Sequence, residues 1–240
     1  MRDYLLDLVS HTLDLGCIDL IKIQGTDSET TVQALAEDNS VVIQGRFHNP
    51  VADFVGTFGM PNLAKLKILL NLQEYRENAV LTLTRNNVGA ADGIQFENAT
   101  SDFRNNYRFM SQAVVDEKLK NGKMRTLNWH IEFEPTVAAV QRLKMQAQAN
   151  AEETVFKAKT ENGDLKFLFG DHSTHAGAFV FQPGVNGSLK RAWAWPVTQF
   201  MSILALSGDK TIRISDEGAA QITVDTGLAV YNYILPAQSK

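Results

Sequence analysis

Hydrophobic and polar residues alternate near the C-terminus in a way that predicts three short strands. In residues 210–236 (KTIRISDEGAAQITVDTGLAVYNYILP), Ile212 and Ile214 alternate with polar residues, and Ile222 and Val224 repeat the pattern. The glycine-containing turns DEG and DTG separate the strands. Period-two alternation between such turns is typical of an antiparallel meander. This stretch therefore predicts three neighbouring strands of one sheet.

The same three-strand pattern occurs once before, which indicates an internal duplication. The earlier strands are VLTLT at 80–84, IQFE at 94–97 and FRNNYRFM at 103–110. Each set follows a helical segment that begins with a proline, Pro61 or Pro196, and Asn106–Tyr107 aligns with Asn232–Tyr233. A repeat of this length means that one folding unit is used twice.

The duplication predicts an α+β fold made of two tandem copies of an antiparallel sheet with two helices on one face. We expect domains at 1–112 and 128–240, joined by a connector at 113–127. The connector fits neither a helical nor a strand period, and we expect its apolar residues to be exposed. These residues are Val114, Val115, Leu119 and Met124.

Four segments have the spacing of hydrophobic residues that is typical of amphipathic helices. They begin at Met1, Pro61, Pro135 and Pro196, and Gly16 ends the first of them. In the first helix we expect a polar face made of Asp3, Asp7, Ser10, His11 and Asp14. In the second helix we expect the inward-facing residues to be Leu66, Ile68, Leu69 and Leu72. In the third helix we expect them to be Val137, Val140, Leu143 and Ala147.

Composition limits the class of protein without identifying it. The chain has 240 residues, of which 44% are hydrophobic and 21% charged, and a net charge of −4. These values describe a soluble globular protein, and neither a membrane-spanning run nor a signal sequence is apparent. The single cysteine, Cys17, is expected to be a buried thiol in a reducing compartment, which favours the cytoplasm, of a host cell if the protein is viral.

The sequence offers little for catalysis, so we predict neither an enzyme nor a cofactor. His172 and His175 have metal-like spacing, but Asp171 is the only nearby carboxylate, and a zinc site needs three or four ligands. Nucleotide-binding and hydrolase motifs are absent from the sequence. We predict no metal, and an enzyme that uses these three residues is the least favoured of three hypotheses.

Several short stretches, taken in order, resemble the sliding clamps of DNA replication. They are AEDNSVVIQ from Ala36, GMPNLAKLKILL from Gly59, NYRFM from Asn106, GDLKFLFGD from Gly163 and VYNYILPA from Val230. The likeness is closest to the two-domain clamps of bacteriophages, eukaryotes and archaea (PCNA), and it covers nearly the whole chain. It implies a homotrimeric ring, without enzymatic activity, that encircles double-stranded DNA regardless of sequence.

The resemblance also implies three sets of site residues. Helices line the hole of such a ring, and the DNA-facing residues would be Lys65, Lys67, Gln141, Arg142 and Lys144. Edge strands at 103–110 and 175–181 would join neighbouring subunits, with Tyr107, Phe109, Phe179 and Phe181 at the interface. A groove for a partner peptide would be walled by Val41, Leu119, Met124, Tyr233, Leu235, Pro236 and Ala237.

The leading hypothesis is therefore a DNA polymerase processivity factor whose partners are the polymerase and a clamp loader. Two helices depart from this expectation, because the first carries three aspartates and the one at Pro196 carries no charge. The alternative hypothesis is a β-rich viral structural protein that forms rings without sliding on DNA.

Overall fold

A computed structural model describes residues 1–119, 126–171 and 175–238. It divides into two compact units, one made of Met1–Lys123 with Thr226–Tyr231 and the other of Met124–Asp225 with Asn232–Lys240. The last strand therefore begins in the first unit and ends in the second. The boundaries predicted for the domains and their connector remain predictions.

Five α-helices, three short 3-10 helices (Leu13–Leu15, Ala52–Phe54 and Gln73–Tyr75) and sixteen strands form the described fold. The helices are α1 (Arg2–Thr12), α2 (Leu63–Asn71), α3 (Gln112–Lys118), α4 (Val137–Ala149) and α5 (Val197–Ala205). The strands of the first half are β1 (Leu20–Gly25), β2 (Thr30–Leu35), β3 (Val42–Phe47), β4 (Gly56–Pro61), β5 (Val80–Arg85), β6 (Ala91–Glu97), β7 (Arg104–Arg108) and β8 (Met110–Ser111). Those of the second half are β9 (Ile131–Phe133), β10 (Val155–Glu161), β11 (Asp164–Phe169), β12 (Gly177–Gln182), β13 (Trp193–Pro196), β14 (Asp209–Ser215), β15 (Ala219–Asp225) and β16 (Ala229–Pro236).

The first unit contains two antiparallel sheets and a helix pair. One sheet has the order β8-β4-β1-β2-β3 and the other the order β5-β6-β7. In β1, buried Ile21 and Ile23 alternate with half-buried polar residues, which is the period that gives a sheet one apolar face. Helices α1 and α2 pack against each other.

The second unit repeats this plan. One sheet has the order β12-β11-β10-β13, and the other contains β15-β14-β9 next to the end of β16. An aromatic core joins strands to helix, because the ring of Phe156 lies 5.0 Å from that of Phe200 and 4.4 Å from that of Phe167, centroid to centroid. Two units of antiparallel sheets with helices confirm the predicted α+β class.

The polar face predicted for α1 is partly wrong. His11 is buried, with its ring stacked 5.2 Å from that of Tyr231, and its Nδ1 lies 3.3 Å from Oδ1 of Asp7. The Tyr231 hydroxyl donates a hydrogen bond to Oδ2 of Asp7 at 2.8 Å. Asp7 and His11 therefore form polar contacts inside the first unit, because the start of β16 supplies a partner that lies 224 residues away in sequence.

Three further helix predictions need correction. Asn62 rather than Pro61 caps α2, since the Asn62 side chain accepts a hydrogen bond from the Lys65 amide at 3.1 Å. Ile68 is 57% exposed and Val137 is 79% exposed, although their spacing predicted burial. Both lie at the margin of an apolar arc, where the position of the neighbouring sheet decides which side chain is covered.

The start of the predicted connector is a helix. Val115 of α3 is fully buried against Gly59 of β4, where an added Cβ would lie 2.8 Å from a Val115 methyl carbon. Lys22 and Asp116 form an ion pair at 2.6 Å that joins α3 to β1. The expectation of exposure is thus wrong for Val115 and Leu119 and correct for Val114, whereas Met124 lies outside the described residues.

Candidate nucleic-acid and assembly surfaces

Two of the exposed basic residues of the first unit lie on α2. Lys65 and Lys67 are both exposed, and the ammonium of Lys67 lies 2.5 Å from Oδ1 of Asp14. Arg2 instead donates hydrogen bonds to the backbone carbonyl groups of Leu70 and Tyr75, where α2 ends. Its charge stabilises the carbonyl end of a helix, which is the favourable position for a cation.

The acidity of α1 is smaller at the surface than the sequence implies. Asp7 bonds to Tyr231 inside the unit, and Asp14 pairs with Lys67. Asp3 remains exposed. The helix pair therefore presents a nearly neutral surface rather than an acidic one.

The second unit presents a basic helix beside an uncharged one. On α4, Gln141 and Arg142 are exposed and Lys144 is half-buried, and the Arg142 guanidinium lies 5.5 Å from the centre of the Phe179 ring. Helix α5 (VTQFMSILA) carries no charged residue. Thr198 is its exposed polar residue. The five predicted DNA-facing residues thus divide into two on α2 and three on α4.

Strands β7 and β12 each lie at the edge of their sheet in the part of the chain that the structure describes. The amide of Phe109 donates to the carbonyl of Asp92 in β6 at 2.9 Å, so alternation directs the backbone groups of Asn106 and Arg108 away from β6. Asn106 and Arg108 are exposed. An unpaired edge of this kind is a template for another strand.

The side chains predicted for the subunit interface belong mainly to the core. Tyr107, Phe179 and Phe181 are buried, and burial raises the pKa of the Tyr107 phenol, whose hydroxyl donates to the Pro61 carbonyl. Phe109 is half-buried and stacks on Phe58, with ring centroids 4.4 Å apart. The groups of β7 and β12 that could pair with another chain are therefore the backbone N–H and C=O groups at their open edges.

The predicted groove residues divide between the two units. Val41, Tyr233 and Leu235 are fully buried, so the expectation that these side chains contact a peptide is wrong for this conformation. Pro236, the last residue of β16, is exposed, and Ala237 just after it is half-buried. Met124 lies outside the described residues.

Leu119 lines a pocket of about 430 Å³ within the first unit. The pocket is also lined by Pro61, Met110 and Lys118 and by residues of the loop after β2, Ala36, Glu37 and Asn39. Sequence reasoning missed Met110 and Pro61, because the pocket forms only when α3 folds onto β4. The spacing of Val115 and Leu119, four residues apart, was the available signal for that helix.

Reactive and metal-binding groups add little to these surfaces. Burial raises the pKa of the Cys17 thiol, and nearby Asp38 raises it further, so the thiolate nucleophile is disfavoured. Within residues 1–119, 126–171 and 175–238, no three metal-binding side chains lie together. His172 falls outside those ranges. Among the described helices, none is long and apolar enough to cross a bilayer.

Comparison with solved structures identifies the fold. No protein-family profile and no curated protein sequence matches the chain. The chain is similar to PCNA of A. fulgidus, solved with the C-terminal region of FEN-1 bound. The alignment covers 100% of this chain and 97% of that PCNA chain, with a TM-score of 0.72 and 10% sequence identity. For PCNA of Thermococcus kodakaraensis, the alignment covers 99% of this chain and 97% of that PCNA chain, with a TM-score of 0.67 and 12% sequence identity.

These matches define a fold class. The chain has the PCNA-like sliding-clamp fold along its whole length.

Proposed function

We propose that the protein is a sliding clamp that acts as a DNA polymerase processivity factor. Three copies close head to tail into a ring around double-stranded DNA, with a clamp loader to open it and a polymerase tethered to it. The ring is a scaffold and catalyses no reaction. The observation that carries the proposal is an open strand edge in each half of a whole-chain PCNA-like fold, at β7 and at β12.

Pairing between β7 of one copy and β12 of the next gives each open backbone edge a partner. Two different surfaces of the same chain then meet, which is a heterologous contact that closes into a ring when the rotation allows. The buried rings of Tyr107, Phe179 and Phe181 stiffen both strands from behind. Pairing of open edges also removes a site of aggregation.

The DNA-facing surface of this ring is built from α1, α2, α4 and α5. Lys65, Lys67, Gln141, Arg142 and Lys144 contact phosphates through long side chains, without reading bases. Because Lys67 is paired with Asp14 and α5 is uncharged, each contact is weak and easily exchanged. Weak contacts to the backbone suit a ring that moves along the duplex.

The experiment that tests the proposal is light scattering after size exclusion, followed by retention on DNA. We expect three times the chain mass of 26.6 kDa at micromolar concentration. A ring loaded on closed circular DNA should stay bound in salt that removes it from the same DNA after linearisation. A strict monomer, or equal loss from both DNA forms, would contradict a clamp, and a ring with no DNA retention would favour a structural protein.

Neutralising the helix charges is expected to weaken DNA binding without opening the ring. In Lys65→Ala with Arg142→Ala, binding of duplex DNA at low salt should fall, and the slope of log affinity against log salt should decrease by about 0.9 for each phosphate that is no longer neutralised. The matched control is Lys159→Ala with Lys166→Ala, which removes the same charge from the sheet, where both lysines contact Glu161. An equal loss in both double variants would place the DNA-binding surface elsewhere.

We also propose that a polymerase peptide binds beside Leu119 in the first unit, and that exposed Pro236 takes part in polymerase binding. In the A. fulgidus structure, PCNA is bound to the C-terminal region of FEN-1, and a client segment of this kind is the ligand we expect here. Its apolar anchors would use the pocket beside Leu119.

Pro236→Glu is expected to abolish binding of the polymerase to the ring while the ring mass stays unchanged, because Pro236 is exposed and its replacement leaves the core intact. Gln238→Glu, which adds the same charge two residues later at another exposed position, is the control. Surface plasmon resonance with immobilised polymerase measures both variants. Retained binding in Pro236→Glu would show that the peptide site does not include this residue.

A further inference from the structure

The two units differ at one strand edge. In the second unit, β9 pairs antiparallel with β14, so that Ile131 lies opposite Ile214 and Phe133 opposite Ile212. Strand β5 is the counterpart of β14, because each is the first of the three duplicated strands. In the described ranges, β5 has β6 on one side and no strand on the other.

The backbone groups that β5 leaves open can be assigned from the register. The amide of Phe109 donates to the carbonyl of Asp92, so Asp92 and every second residue of β6 face β7. The intervening residues of β6, including the one opposite Thr82, face β5. The N–H and C=O groups of Leu81 and Leu83 therefore point away from β6, toward the open edge.

The second unit shows what a strand on that edge covers. Ile212 and Ile214, which pair with β9, are both 0% exposed, and the carbonyl of Ile214 accepts a hydrogen bond from the amide of His130, just before β9. Leu81 and Leu83 have their backbone groups on the open side of β5, as Ile212 and Ile214 have on the β9 side of β14, but their side chains are only half-buried. The open backbone edge of β5 is thus accompanied by incompletely covered apolar side chains.

The sequence of β5 does little to prevent pairing. Exposed edges in natural proteins usually carry lysine, proline or a bulge. The strand VLTLTR contains no lysine and no proline, and its one irregularity lies at its end, between Thr84 and Arg85. Valine, leucine and threonine suit an extended, half-buried strand.

We propose that β5 is a docking edge for an extended segment of a partner protein, which adds as an antiparallel strand. This recognition mode combines backbone hydrogen bonds with alternate side chains. Strand β9 indicates the chemistry of the occupant, because its Ile131 is buried while Glu132 is exposed and pairs with Arg213 at 3.0 Å. An apolar-acidic-apolar segment fits β5 as well, since β5 has no acidic residue and ends at exposed Arg85.

The partner strand occupies a surface separate from the β7 and β12 edges and from the pocket beside Leu119. Its binding is therefore independent of whether the ring and the polymerase groove are as proposed above.

A peptide that copies residues 128–134 (NWHIEFE) tests the proposal on the unaltered protein. Amide hydrogen exchange read by NMR should slow at Leu81 and Leu83 when the peptide is added, with little change at Thr82, whose amide already bonds to β6. The same peptide with proline in place of its isoleucine should have no effect. An absence of protection at millimolar peptide, or protection confined to β7 or β12, would overturn the proposal.

Two variants of one residue separate the backbone donor from the side chain. Leu81→Pro removes the outward N–H but no bond to β6, and we expect peptide affinity to fall at least tenfold below that of Leu81→Ala. The amide spectrum of the peptide-free variants verifies that both are folded. Equal affinity in the two variants, or concentration-dependent pairing of β5 with a second copy of the chain, would contradict the partner-strand assignment.

Discussion

Asn106→Pro is expected to convert the ring into folded monomers. Asn106 lies in the middle of β7, and the register directs its N–H away from β6. Proline removes that donor and fixes φ near about −65°, which an edge strand tolerates when the lost N–H faces solvent. The bonds between β6 and β7 remain, so the first unit keeps its sheet. The substitution therefore removes a hydrogen-bond donor only from the edge that would pair with another chain.

Sedimentation and circular dichroism measure the two parts of this result. Asn106→Ala is the matched control, because it loses the same exposed side chain and keeps the N–H, and it should remain a trimer. Asn106→Pro should sediment as a monomer with an unchanged spectrum and should leave circular DNA as readily as linear DNA. A trimer in the proline variant would show that β7 does not form the subunit interface.

Trp195→Ala is expected to destabilise the second unit strongly. Trp195 is fully buried, its ring centroid lies 6.3 Å from that of Phe156, and its indole N–H donates to the Leu235 carbonyl at 3.2 Å. Truncation leaves a cavity and an unpaired carbonyl, and such changes cost about 3–5 kcal/mol in the free energy of unfolding.

Urea unfolding followed by circular dichroism measures this cost, with two comparison variants. Trp195→Phe keeps most of the ring volume and loses the hydrogen bond, so it should cost about 1–3 kcal/mol. Trp193→Ala, two residues away on the same strand, removes a half-buried indole and should cost less than Trp195→Ala. Equal losses at Trp193 and Trp195 would contradict the assignment of Trp195 to the core.

The strands were predictable from sequence because their alternation is local. Residues 210–236 and their earlier copy supply β14–β16 and β5–β7, which together with the helix pairs determine the fold class. The helix faces were less predictable. His11 was assigned to a polar face and is buried, because its partner Tyr231 comes from the far end of the chain.

The candidate site was only partly predictable for the same reason. Exposure of Lys65, Lys67, Gln141 and Arg142 follows from helical spacing, and it is observed. The groove residues were inferred by resemblance, and spacing alone does not reveal that Tyr233 and Leu235 lie at 0% exposure beneath their neighbours. The open edge of β5 was invisible in the sequence, since it appears only when strand orders in the two units are compared.

The division of the last strand has a consequence for biosynthesis. Residues Thr226–Tyr231 belong to the first unit, where the Tyr231 hydroxyl bonds to Asp7. A nascent chain leaving the ribosome therefore holds an unfinished N-terminal half until residues 226–231 have emerged. Contacts between such distant residues form slowly. We expect the N-terminal half to close only after most of the second half has been made, although it is the first to be synthesised.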